Sequence, residues 1–112
     1  MTIYALSSGS SISGIAVIRV SGKKASEVVK KITLSKLPRP RVATLRKFNK
    51  NGKKELIDEG VVLWFPGPNS YTGEDLAEFH VHGSRAVIDA MHKSIAKVKN
   101  CRLAEPGEFT KR

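Results

Sequence analysis

The chain has 112 residues, 40% of them hydrophobic, and a net charge of +10. That is enough apolar side chain for one packed domain and too much for a disordered segment. No apolar run approaches the roughly 18 residues of a membrane span. The start, MTIYALSS, lacks a basic region followed by a long apolar stretch, so no secretory leader is expected, and the lone Cys101 leaves no internal disulfide.

In chain order, Thr2–Leu6 is predicted as a short strand and Ser7–Gly14 as a small-residue loop. Ile15–Val20, IAVIRV, is apolar and β-branched enough for a buried strand, ended by Ser21 and Gly22. Ala25, Val28, Val29 and Ile32 recur with helical period, with lysines on the wet side. Pro38 and Pro40 keep the next segment extended. A strand is expected over Val42–Phe48, a turn at Asn51-Gly52 and a strong strand over Leu56–Phe65, stopped by Pro66-Gly67-Pro68.

Asp75–His82 alternates. Ala77, Phe79 and Val81 point one way, and Leu76, Glu78, His80 and His82 the other. Ser84 reads as the N-cap of a helix running to about Lys97, whose stripe is Val87, Ile88, Met91, Ile95 and Val98. Leu103 opens a last short strand, Pro106-Gly107 is a turn, and Glu108–Arg112 reads as a first helical turn. The fold class is α+β, one domain over residues 1–112, with helices packed on a mixed or antiparallel sheet.

The charge is uneven. Residues 23–54 hold twelve of the twenty Lys and Arg and one acid, Glu27. Such a block is the footprint of a polyanion binder, or a solvated basic face. An RNA-binding module built on 23–54 is therefore one reading of the chain.

The remaining motifs suggest four chemistries. His80-x-His82 beside Glu78 puts two imidazoles on one strand face, but zinc wants three or four ligands. The third histidine, His92, is expected near the wet side of its helix, so no metal site is assigned. Gly9-Ser-Ser-Ile-Ser-Gly14 has phosphate-loop glycine spacing, yet Ile15 and Ala16 stand where Lys and Ser or Thr are needed, and a strand follows instead of a helix. No nucleotide hydrolysis is assigned to these residues. No serine lies in a G-x-S-x-G elbow, and Cys101 lacks a base, so no catalytic nucleophile is assigned. Arg19 and Glu78 are the informative pair. Each places a charge on a largely buried sheet, where an unpaired charge costs several kcal/mol, to order of magnitude. Either they pair with each other, or Arg19 sits at an exposed edge, or both line a pocket for a polar ligand. A carboxylate accepts two parallel hydrogen bonds, as the edge of a 2-aminopyrimidinone would offer.

Gly14-Ile-Ala-Val-Ile-Arg-Val-Ser-Gly22, Leu63-Trp-Phe-Pro-Gly-Pro-Asn-Ser-Tyr-Thr-Gly-Glu-Asp75, Glu78-x-His-x-His-Gly83 and Ala104-Glu-Pro-Gly-Glu-Phe-Thr-Lys-Arg112 together resemble the N-terminal domain of the MnmE (TrmE) family of tRNA-modification GTPases. The resemblance covers essentially the whole chain. It implies a folate-binding and homodimerisation domain similar to that of aminomethyltransferases. The cofactor would be 5-formyl-tetrahydrofolate or a related reduced folate, contacted by Arg19 and Glu78. A third family contact, a lysine, follows the arginine matched by Arg112. His80 and His82 would support the pocket or dimer surface, and Glu74 and Asp75 would order the entry loop. The family's N-terminal loop is usually richer in Gly and Pro than Ser7–Ser13. The resemblance further implies a helical domain and a GTPase domain, with GTP, magnesium and potassium, outside these residues. It implies a flavoprotein partner of the MnmG (GidA) type, modification at carbon 5 of the wobble uridine of tRNA, and a cytoplasmic or organellar setting without membrane attachment.

Overall fold

The computed structural model describes residues 1–8 and 14–111. The glycine-spaced segment from Gly9 lies mostly outside them, as does Arg112. Six strands and three helices follow in the order β1 (Thr2–Ser8), β2 (Ile15–Ser21), α1 (Ala25–Thr33), β3 (Thr44–Asn49), β4 (Leu56–Phe65), β5 (Leu76–His82), α2 (Arg85–Ala96), β6 (Cys101–Leu103) and α3 (Glu108–Lys111). They build one six-stranded sheet in the order β3-β4-β5-β2-β1-β6. Every neighbouring pair is antiparallel except β1 with β6, so the sheet is mixed and the fold is α+β.

The two long helices lie on one face of the sheet. Alternation aims Ala16, Ile18 and Val20 of β2 and Ala77, Phe79 and Val81 of β5 into the same core as Val28, Val29 and Ile32 of α1 and Met91 and Ile95 of α2. Phe48 meets Phe79 edge to face at 5.3 Å, a favoured aromatic geometry. Val87 and Ile88 flank this core half-buried.

Two glycines permit close approaches. At Gly60 of β4 an added Cβ would lie 2.0 Å from the His80 carbonyl oxygen. At Gly22, with φ at +138°, it would lie 2.5 Å from Thr2 Oγ1. That hydroxyl accepts a 2.8 Å bond from the Lys24 amide, so α1 is capped by a side chain from β1.

The other face of the sheet carries no helix among the described residues. It presents half-buried Val17, Val61 and Leu63, with Ile15 and Leu45 exposed. Its far end is roofed by the loop from Pro66 to Asp75. Ser21 bonds Thr72 at 2.7 Å and Glu74 at 2.9 Å. The Gly67 amide donates to Asp75 Oδ1 at 2.9 Å, and Ser70 Oγ donates to the Glu74 carbonyl. Glu74 and Asp75 thus tie the loop down.

Three strands and one side chain differ from expectation: β6 ends at Leu103 instead of opening there, because Cys101 already pairs with Thr2. β1 continues through Ser7 and Ser8, because Ser8 still pairs with Val17 after a bulge beyond Leu6. β3 begins at Thr44, since Arg41 and Val42 are spent in a turn. His92, read as near the wet side of its helix, is half-buried. Tyr4 lies against its ring at 5.3 Å, and burial pushes its pKa down, opposed only by nearby Asp89.

Candidate functional site

The open face holds one row of four side chains across four strands: Ala5, Arg19, Glu78 and Leu63 are successive register partners. Alternation in β2 and β5 put Arg19 and Glu78 on this face, and pairing of those strands put them directly opposite one another. Arg19 Nε donates to Glu78 Oε2 at 2.9 Å. The glutamate side chain is only 14% exposed and the arginine 34%. His80, two residues along the same face, places Nε2 3.1 Å from Glu78 Oε1. Both carboxylate oxygens are therefore engaged, one by each neighbour. The His80 contact holds the Glu78 carboxyl below the usual range, burial works against it, and Arg19 adds to the lowering.

Arg19 also lies over the Tyr71 ring, 5.5 Å from its centroid. Both residues line a cavity of about 540 Å³ along the edge of β1, a size in the range of small-molecule sites. Its far wall is the segment from Leu103 to Thr110. That wall is held by Arg102, whose guanidinium forks onto Glu108, with Nη1 to Oε1 at 2.8 Å. Arg19 uses only Nε on Glu78, which leaves its Nη donors for other acceptors, and each Glu78 oxygen keeps a second lone pair. A flat ligand with a paired N–H edge and an anionic tail suits such a donor and acceptor set.

His82 is not part of this constellation. Asp58 of β4 accepts both its amide, at 2.8 Å, and its ring Nδ1, at 2.8 Å. Burial works to raise the Asp58 carboxyl, but these bonds, a bond from the Glu59 amide and the charge of His82 together outweigh it and hold it low. No cue in the sequence linked Asp58 to His82, 24 residues away, or Tyr71 to Arg19. Among the described residues no three His, Cys, Asp or Glu converge as a metal-ligand set. Burial raises the Cys101 thiol, which suits a packing residue and not a nucleophile.

The site is a one-sided α+β sheet with a half-buried, paired carboxylate, whose partner Arg19 lines a cavity. Residues 2–112 match the family model described as GTP-binding protein TrmE N-terminus, and the chain belongs to that family. It is 70% identical over 111 residues to a tRNA modification GTPase MnmE of Pelagibacter ubique, covering 99% of this chain and 25% of that protein. It is 52% identical over 111 residues to a mitochondrial 5-taurinomethyluridine tRNA synthase subunit of Danio rerio, covering 99% and 22%. A tRNA modification GTPase MnmE of Brucella anthropi is 50% identical over 112 residues, again 99% of this chain and 25% of the relative. The chain thus spans about a quarter of the length of these relatives.

Proposed function

We propose that this chain is the reduced-folate-binding and homodimerisation module of a tRNA-modifying GTPase. The observation that carries the reading is the Arg19–Glu78 pair, whose arginine lines the cavity. Glu78 accepts the N–H edge of the pterin, Arg19 supplies cationic donors, and Tyr71 offers a flat wall. The bound folate, 5-formyl-tetrahydrofolate or a relative, supplies a one-carbon unit. These residues position it and perform no bond-breaking step themselves. Homodimerisation is supported by the uncovered sheet face, where Ile15 is 54% and Leu45 63% exposed beside half-buried valines. The intact protein, by its relatives' names, acts on tRNA with GTP. Its GTPase domain, with magnesium and potassium, lies outside these residues. A flavoprotein partner of the MnmG type joins it in modifying carbon 5 of the wobble uridine, in the cytoplasm or an organelle.

Calorimetric titration with 5-formyl-tetrahydrofolate tests the reading. The parent is expected to bind, and Glu78→Gln to bind about tenfold more weakly or worse, the scale of one charge-assisted hydrogen bond. Equal affinity of parent and variant would reject the Glu78 assignment.

A further inference from the structure

The basic block of residues 23–54 is one run in sequence but not in space. Arg41 lies at the Phe65 end of β4, its amide bonded to the Trp64 carbonyl and its guanidinium to that of Asn69. Lys50, Lys53 and Lys54 lie at the other end, in the hairpin turn between β3 and β4. That turn is fastened to the helical layer. Asn51 Nδ2 donates to the Ser94 carbonyl of α2 at 3.1 Å, and the Gly52 amide reaches the Lys31 carbonyl of α1 at 3.4 Å. The junction brings Lys50 into one groove with Lys93 and Lys97, which the sequence places outside the block.

Between turn and helix runs a groove of about 430 Å³. Its floor is small, with Ala86, Ala90 and Ser94, and its cationic walls are Lys50, Lys93 and Lys97, with Asp89 the one acid lining it. Lys50 pairs with Glu55 at 2.6 Å. Lys53 and Lys97 act on the same carboxylate, so positive charge outnumbers negative here even after pairing.

We propose that this groove docks the phosphodiester backbone of RNA. Converging lysines on a concave, small-floored surface suit a chain of phosphates, whose binding releases counterions. None of the exposed large apolar side chains, such as Leu45, Leu56 or Tyr71, lines it. A membrane surface would want apolar side chains to insert, and a protein partner an aromatic or aliphatic anchor. The absence of an aromatic ring from the lining also means that bases are not stacked there. Binding is therefore to backbone and indifferent to base identity. The groove is in the helical layer, remote from Arg19 and Glu78, so a bound RNA leaves the cavity on the other face free. The choice of RNA over other polyanions rests on the tRNA-modifying role proposed above.

Fluorescence anisotropy of the protein with a labelled tRNA transcript, across a salt series, is the test. The variant Lys50→Gln/Lys53→Gln/Lys93→Gln/Lys97→Gln is compared with Lys23→Gln/Lys36→Gln/Arg39→Gln/Lys47→Gln, which removes equal charge elsewhere. The groove variant is expected to lose about tenfold or more in affinity and to flatten the log–log salt slope by about 3, while the control loses less than about threefold. Lys93→Gln/Lys97→Gln, confined to the helix surface, gives an intermediate loss and serves if the larger set disturbs the hairpin. Equal losses in groove and control variants would reduce the effect to net charge and overturn the proposal. So would unchanged tRNA binding, with or without lost binding to vesicles of anionic phospholipid. Folate titration of the groove variant keeps the two readings separate: its folate affinity should equal the parent's, and a parent that binds no folate leaves the tRNA comparison intact.

Discussion

Glu78 and Arg19, 59 positions apart in sequence, face each other across β5 and β2 with Nε and Oε2 at 2.9 Å. His80 takes the second oxygen of the same carboxylate. The anion is thus held in place from two sides before any ligand arrives. Pre-orientation of this kind lowers the ordering cost that binding would otherwise carry. It also makes Glu78 part of the fold's stability, which is measurable without a ligand.

Glu78 has a pH signature. Its carboxyl is held below the ordinary value in the folded chain, by His80 first and by Arg19, against burial. Stability from a depressed carboxyl is fully present above the unfolded pKa, about 4.3, and is lost as pH falls through the folded value. Urea unfolding at several pH values between neutral and acid should show the parent losing stability on acidification. Glu78→Gln should be less stable at neutral pH and should fall less steeply in acid. Parallel curves would mean that the pair contributes nothing to folding.

Gly60 makes a second, sterically stated prediction. A methyl group there would sit 2.0 Å from the His80 carbonyl oxygen and 3.1 Å from the Phe48 ring, and the oxygen belongs to backbone. β4 and β5 would have to separate. Gly60→Ala is expected to cost on the order of 3 kcal/mol, lowering the urea midpoint by about 1 M or more. An unchanged midpoint would mean that the strands part without loss.

Much of this is legible in the sequence. Period-two alternation placed Arg19 with Val17 and Glu78 with His80, and Leu56–Phe65 was bounded correctly because Pro66 cannot continue a ladder. What alternation cannot give is register between distant strands. That Arg19 meets Glu78, and that Asp58 meets His82, depends on which strands neighbour each other and by how many residues they slide. The end of β1 was missed for the same reason, since Ser7 and Ser8 are poor strand formers kept in the sheet by β2. His92 looked solvated on its own helix, but the burying group is Tyr4 from another element. The basic block misled in a subtler way. Its lysines are divided by the length of β4 and regrouped with those of α2, an arrangement absent from any local window.

Ser84 was read as a helix N-cap, and its Oγ accepts the Val87 amide at 3.2 Å. It satisfies one of the four amides that the first turn of α2 leaves open. Ser84→Ala should cost about 1 kcal/mol, a fall in melting temperature of roughly 4–8 °C for a domain of this size. Ser84→Asp should restore most of it, because a carboxylate caps equally well and favours the helix dipole. A melting temperature unchanged in Ser84→Ala would show that water replaces the hydroxyl without penalty.

One ion pair ties the far wall of the cavity together, beside the Ala104 amide's 2.8 Å bond to the Tyr4 carbonyl. α3 buries no residue fully, and Phe109 is only half-buried, so packing alone holds it weakly. Arg102 of β6 instead forks onto Glu108, and Glu108 Oε1 also accepts the Glu105 amide at 3.0 Å. One carboxylate therefore ties the strand, the turn and the helix start together. Replacing it with an amide leaves one oxygen acceptor and no charge, so Glu108→Gln cannot keep the fork. Amide hydrogen exchange over residues 104–111 should quicken several-fold in Glu108→Gln, while β2 and β5 exchange as before, because local opening here does not require the sheet to open. Raised salt should reproduce part of the effect in the parent, since Arg102 is 40% exposed and its pairing is screened. Unaltered exchange in the 104–111 segment would mean that contacts other than this fork hold the wall.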